Sequence, residues 1–222
     1  AIRSRLVGSE MCIRDRIILL SKYTMILLRK FFIYFFITIL VATGLTYASF
    51  LIFEEVAYVK NDIWRTLSSP GDKDRNMYTR LAVSQFGTFA LAKPEAAYFH
   101  AFTDISDEEL NAKCMYKVAG EDIDARWWAL TVYDNDGFLI ENTEKNYSFN
   151  SENVNFNLDG GFEIYLTNNN QAVQEVASSN WLRSPQSGNF SVSLRIYLPG
   201  EEFFSNLRRV NLPIIEKIEC FE

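Results

Sequence analysis

The 222-residue chain contains one histidine, His100, and three cysteines. That excludes a metal site built from several imidazoles, and it leaves no second imidazole for acid–base work. Basic charge is also scarce: 22 Lys and Arg stand against 28 Asp and Glu, a net charge of −6. Phosphate neutralisation needs a cationic surface, so no nucleic-acid partner is expected. The chain has no Gly-x-Ser-x-Gly elbow, because Ser84 in AVSQFG lacks the second-glycine context, and this removes the common serine-hydrolase arrangement. No internal repeat is visible, and the one low-complexity stretch, Asn168 to Asn170, reads as a polar loop. The length leaves no room for two large soluble domains.

Apolar and aromatic side chains are abundant, at 48% and 15% of the residues, so the chain must bury a core. The average charge hides a split. Residues 1–49 hold seven basic and two acidic side chains, a net of +5, whereas the remainder holds 15 basic and 26 acidic ones, a net of −11. Between Phe31 and Phe53 lie 23 residues without a charge. As a helix they would reach roughly 34 Å, enough for a hydrocarbon core of about 30 Å. Arg29 and Lys30 precede the run and Glu54 and Glu55 follow it. The positive-inside rule then places the N-terminus in the cytoplasm and the acidic body in the periplasm or outside the cell. An uncleaved single-pass anchor in the lipid bilayer through residues 31–53 is favoured. A cleaved signal peptide, with Thr46 and Ala48 ahead of Ser49, is the main alternative, and a buried core helix the lesser one.

The stretch LVGSEMCIRDR, residues 6–16, looks like translated adapter sequence, with Met25 as the natural start ahead of MILLRKFFIYFF. Residues 1–24 are therefore set apart from fold reasoning, and Cys12 with them. The expected organisation is a leader over 1–24, a basic region and transmembrane anchor over 25–53, a juxtamembrane helix and linker over 54–74, and a β-sandwich over 75–222. Val56, Val59, Ile63 and Leu67 recur at helical spacing from Glu54 to Ser69, and SSPGDKD, residues 68–74, is a turn cluster. A second helix is expected from Asn76 to about Ala92, with Met77, Leu81, Ser84 and Thr88 or Phe89 on one side and Pro94 ending it.

Beyond Pro94 the period changes to two. Residues 96–104, 113–120, 126–134, 137–141, 161–168 and 189–199 are short, rich in β-branched and aromatic residues and bounded by turn formers. Phe190, Val192, Leu194, Ile196 and Leu198 should face one way, and Ser191, Ser193, Arg195 and Tyr197 the other. Asp134-Asn135-Asp136-Gly137 is a hairpin signal, and it lacks the ligand spacing of a calcium loop. The fold class is mainly β with a few helices, an antiparallel sandwich or jelly roll behind one N-terminal transmembrane helix.

Tentative catalytic residues are His100, Asp134 and Arg195. Arg195 is otherwise a structural partner for a carboxylate across the sheet, and His100 an ordinary strand residue. Tentative ligand-binding residues are Trp128, Tyr133, Trp181 and Tyr197, since rings supply flat contact area. Trp127 and the Phe203-Phe204 pair belong with these rings, which otherwise fill the core. Trp127 and Trp128 must point to opposite faces of their strand. The acids Asp104, Asp107, Glu108, Glu109, Glu121, Asp122 and Asp124 gather around a cation only if their loops converge, and a solvated surface is favoured. No metal or cofactor is expected. Cys114 and Cys220, 106 residues apart, are favoured as two buried free thiols over a disulfide.

The ordered series WWALTVYDNDGFLIEN (127–142), Tyr147, Asp159-Gly160 leading into GFEIYL, Asn180-Trp181-Leu182 with Pro185, and FSVSLRIYLP (190–199) resembles the domain of unknown function 1214. RLAVSQFGTFALAKPEAAYF (80–99) is similar to that family's helical entry, with Glu95, Ala96 and Tyr98 in its Glu-Ala-x-Tyr element. The resemblance runs from about Arg75 to Ile215 and implies a β-rich sandwich. In many relatives the domain follows a second one, numbered 1254; a membrane helix stands in that place here, as in short single-domain members of envelope-bearing bacteria. The family's Asp-Gly-x-x-Leu turn appears as Asp104 to Leu110, without the glycine. The resemblance implies a fold and leaves the activity open. The expected function is a noncatalytic envelope module that binds a ligand or a protein partner. The alternative is an envelope hydrolase or metal-assisted enzyme with its site in the sandwich cleft.

Overall fold

A computed structural model describes residues 3–67, 71–85, 90–143, 145–169, 172 and 180–221. It divides into two units, residues 1–53 and 54–222. The first is nearly all one helix, α1, which runs from Arg3 to Ala57 and passes through residues 3–24 without a break. From Ser21 to Phe53 it is long and apolar enough to cross a membrane, as an anchor or a signal segment. Over that stretch its apolar side chains lie largely exposed, unlike those of the core helix of a packed domain.

The second unit is mainly β, two sheets packed as a sandwich. The element order is β1 (Tyr58–Asn61), β2 (Trp64–Leu67), α2 (Met77–Gln85), β3 (Ala96–Ala101), β4 (Cys114–Glu121), β5 (Ala125–Asp134), β6 (Ser148–Asn150), β7 (Gly161–Leu166), β8 (Asn180–Leu182), β9 (Phe190–Pro199) and β10 (Ile214–Cys220). The larger sheet has the order β1-β2-β3-β9-β5-β6 and the smaller β10-β4-β7-β8. Every neighbouring pair is antiparallel except β7 and β8, which run parallel. A parallel neighbour needs a connection of about a dozen residues or more, and residues 167–179 separate the two strands in the sequence.

The core follows from the period of two. On β9, Phe190, Val192, Leu194 and Ile196 are buried between the sheets, and β3 and β5 present Phe99, Leu130 and Val132 on the same side. Rings bridge the layers: Trp128 stacks on Phe162 at 4.8 Å and Tyr116 meets Phe190 edge-on at 5.7 Å.

Four local expectations need correction. The helix expected over 54–69 stops at Ala57, and β1 and β2 form a hairpin that joins the large sheet through β3. Asp62 takes the left-handed conformation at φ 51°, which a short aspartate tolerates and a tight turn requires. Trp64 and Thr66 then alternate into the core, and the Trp64 indole N–H donates to the Pro213 carbonyl at 2.7 Å. In α2 the expected apolar face is turned out, with Met77 and Leu81 exposed and Ala82 buried; Thr88 and Phe89 lie outside the described residues. Residues 137–141 form no strand, only an isolated bridge between Tyr133 and Leu139 beyond the Asp134–Gly137 turn, where Gly137 sits at φ 83°.

The fourth correction is the cysteine pair. Cys114 and Cys220 form a disulfide, with Cα atoms 3.9 Å apart. They lie directly opposite in the β4–β10 ladder, and the Phe221 N–H donates to the Lys113 carbonyl just beyond them. That marks a non-hydrogen-bonded pair, the position where facing side chains come closest. Spacing along the chain carries no trace of that register.

Candidate functional site

The same alternation that closes the core builds the opposite face of the large sheet. Residues paired in register share a face, so one row holds Arg65, His100, Ser193, Thr131 and Ser148. The next holds Tyr98, Arg195 and Ala129, and a third Ala96, Tyr197 and Trp127. Tyr133 lies beyond, opposite Ser191. Ser193, Thr131 and Ala129 are buried, whereas His100, Arg195, Tyr133, Tyr197 and Trp127 around them are half-buried. The short side chains form a floor and the long ones its walls.

Arg195 leans along this floor: its Nη2 donates to the Tyr133 hydroxyl at 2.5 Å, although Tyr133 is paired four residues away along β9. Its Nε and the Ser193 Oγ are buried without a hydrogen-bond partner. Among the described residues Lys117 and Lys217 form ion pairs with carboxylates, and none is found for Arg195. The expected structural pairing of Arg195 with a carboxylate across the sheet is therefore not found there. Burial, with the Arg195 charge adding to it, pushes the His100 imidazole down to about 4, so the ring is neutral at physiological pH. Burial also raises the Tyr98 phenol, whose oxygen accepts the Leu91 N–H at 3.0 Å. Trp127 and Tyr98 both pack on Tyr197, at 5.4 and 6.4 Å between ring centres.

Of the residues singled out from sequence, His100, Arg195, Tyr133 and Tyr197 meet on this face. The others lie elsewhere. Trp128 is fully buried in the core, its indole N–H on Asp122 at 3.0 Å, and Trp127 takes the outer position. Asp134 closes its turn, one carboxylate oxygen accepting the Asp136 and Phe138 N–H groups at 3.0 and 2.8 Å. Trp181 lies in the smaller sheet within a separate cluster of Met115, Ala172, Tyr165 and Phe221, and donates to the Thr167 carbonyl at 3.1 Å. Phe203 meets Phe99 edge-on at the core margin. The sequence reading missed Tyr98, Thr131 and Ser193 as site residues, which follow from Arg195 and Tyr197 once the strands are set in register, while Trp127 stands among the rings it named.

The acidic loops do not converge on an ion. Among the described residues no group of three or more His, Cys, Asp and Glu side chains is placed to hold a metal. Asp104 caps its own turn by accepting the Ser106 and Glu108 N–H groups, Glu108 pairs with Lys217, and Asp122 serves Trp128. Asp107, at φ 61°, supplies the left-handed residue of this turn although no glycine is present. Two cavities lie away from the Arg195 face. One of about 460 Å³ is lined by Asp62, Trp64, Asp104 and Asp107 among others, and one of about 760 Å³ by Asp134, Glu141, Arg183 and Gln186 among others.

The β-sandwich thus has one closed apolar interior and one polar, ring-bearing outer face. Residues 95–201 match the family described as "Protein of unknown function (DUF1214)", so that stretch is a domain of that family. Among solved structures it is similar to the VPA0106 protein from Vibrio parahaemolyticus, at 21% identity and a TM-score of 0.54 over 66% of this chain and 36% of that one. An uncharacterized protein from Burkholderia cenocepacia is similar at 16% identity and a TM-score of 0.43, over 81% of this chain and 42% of that one. The chain thus spans well under half the length of either. No curated protein matches it.

Proposed function

We propose that this protein is a noncatalytic module of the cell envelope, held in the inner membrane by α1 with its N-terminus in the cytoplasm, and that the outer face of its large sheet binds a ligand. Residues 25–53 are the anchor in this reading, and the sandwich stands in the periplasm or outside the cell. Support for export comes from the apolar helix and from the Cys114–Cys220 disulfide, which persists in oxidising compartments and not in a reducing cytosol. Support for binding comes from one observation above the rest: a cation, a neutral imidazole, a buried hydroxyl and four rings gather on a face that is not the core. A hydrolase on the same face would need a carboxylate beside His100, and Asp134 is committed to its turn.

Two measurements test the reading. Carbonate extraction of membranes should leave the full chain in the pellet, and release into the soluble fraction contradicts the anchor. Native mass spectrometry of the full chain extracted in mild detergent should detect a small-molecule adduct that is lost in the double variant Trp127→Ala/Tyr197→Ala. An equal adduct in both proteins contradicts the placement of the ligand on this face.

A further inference from the structure

We propose that the Arg195 face binds an oxyanion, a carboxylate or phosphate group carried on a flat apolar body, with the guanidinium as its counter-charge. This rests on the reading of that face as the ligand surface. Arg195 is half-buried, one of its donors is spent on Tyr133, and its Nε is buried and unused beside the equally unused hydroxyl of Ser193. A cation partly withdrawn from water, with the Tyr133 hydroxyl and ring as neighbours but no carboxylate, keeps an uncompensated charge. None of the charged or titratable side chains that share the face from β2, β3, β5 and β9, namely Arg65, His100, Tyr98, Tyr133 and Tyr197, is a carboxylate. The neutral ring of His100 adds no negative charge, and a protonated one would add to the positive. The compensating charge therefore comes from outside the sheet. A guanidinium presents its donors in a planar fork that fits two oxygens of one carboxylate or phosphate. Trp127 and Tyr197, half-buried and packed on each other with the buried Tyr98 behind Tyr197, give the adjoining wall a flat apolar surface, which selects a flat apolar group next to the anion. Such an anion can be a free small molecule or the headgroup of an anionic lipid.

The test uses the full chain in detergent, with sodium benzoate, inorganic phosphate and uncharged benzyl alcohol as probes, read by calorimetry and by the shift in unfolding temperature. Benzoate or phosphate should bind saturably, and Arg195→Met should weaken that binding by about tenfold or more. Arg209→Met, which removes the same charge from an exposed loop, should leave it unchanged. If Arg195→Met does not fold, Arg195→Lys, which keeps the charge and loses the fork, should weaken binding by about threefold or more. A chain stabilised in phosphatidylglycerol nanodiscs over phosphatidylcholine ones, with the gain lost in the Arg195 variant, assigns the anion to a lipid headgroup; equal stability in the two, with benzoate or phosphate bound in detergent, assigns it to a free molecule. The inference is overturned if neither anion binds in detergent and phosphatidylglycerol gives no gain, or if the Arg195 variant behaves as the wild type does. Benzyl alcohol bound as tightly as benzoate, and lost in Trp127→Ala/Tyr197→Ala, overturns the anion while sparing the ligand face. An adduct that also survives the double ring variant removes both.

Discussion

The two faces of β9 obey opposite rules. Phe190, Val192, Leu194 and Ile196 on its inner side are all apolar and at most 3% exposed, whereas Ser191, Ser193, Arg195 and Tyr197 on its outer side mix charge, hydroxyl and ring. The inner side removes apolar area from water at roughly 25 cal/mol per Å² and so contributes stability. The outer side holds a cation without a carboxylate partner among the described residues and borders, on neighbouring β3, a histidine that cannot keep its charge. A single strand thus serves two ends, cohesion through one set of alternate residues and recognition through the other.

The comparison breaks most sharply at the tryptophan pair. Trp128→Ala should cost about 3 to 5 kcal/mol, because it opens a cavity beside Phe162 and strands Asp122 without its donor; urea unfolding measures this. Removing the disulfide by Cys114→Ser with Cys220→Ser should cost about 2 to 4 kcal/mol by freeing a loop of 106 residues, seen as a fall in unfolding temperature that reductant reproduces in the wild type. The third expected effect belongs to His100. The unfolded imidazole takes up its proton near 6.5 and the folded one only near 4, so the unfolded state binds more protons between those values. Stability is then complete above about pH 6.5 and declines as pH falls toward 4, by up to about 3 kcal/mol. His100→Gln should flatten that decline in a pH series of unfolding temperatures. Smallest of the four, Trp127→Ala should cost about 1 kcal/mol, since this ring is half-buried and its main partner is Tyr197. A cost equal to that of Trp128→Ala would erase the distinction between the faces.

Much of this was readable in the residues. The alternation in FSVSLRIYLP assigns both faces of β9 before any coordinates, and Leu130 and Val132 fix the sense of the neighbouring strand. By the same count Trp128 falls with Leu130 on the core side and Trp127 with Thr131 and Tyr133 on the other, so the outer ring of the pair is legible from the sequence. The hairpin over 58–67 was hidden because Val59, Ile63 and Leu67 also satisfy a helical period; the opposing signals were β-branched and aromatic residues flanking Asn61-Asp62. What brings Arg195 beside Tyr98 and Ala129, and Cys114 beside Cys220, is strand order and register. Those depend on contacts between residues many tens of positions apart, which no local pattern encodes.

The central claim is that the outer face is kept for binding and adds little to cohesion. It is tested most directly by urea unfolding of the ligand-free full chain carrying either Leu194→Ala or Arg195→Met, two neighbours on one strand with opposite orientations. The account predicts that Leu194→Ala loses about 2 to 5 kcal/mol. For Arg195→Met, where an unpaired cation gives way to an apolar side chain of similar length, it predicts no loss or a gain of about 1 kcal/mol. A loss at Arg195 as large as that at Leu194 would contradict it.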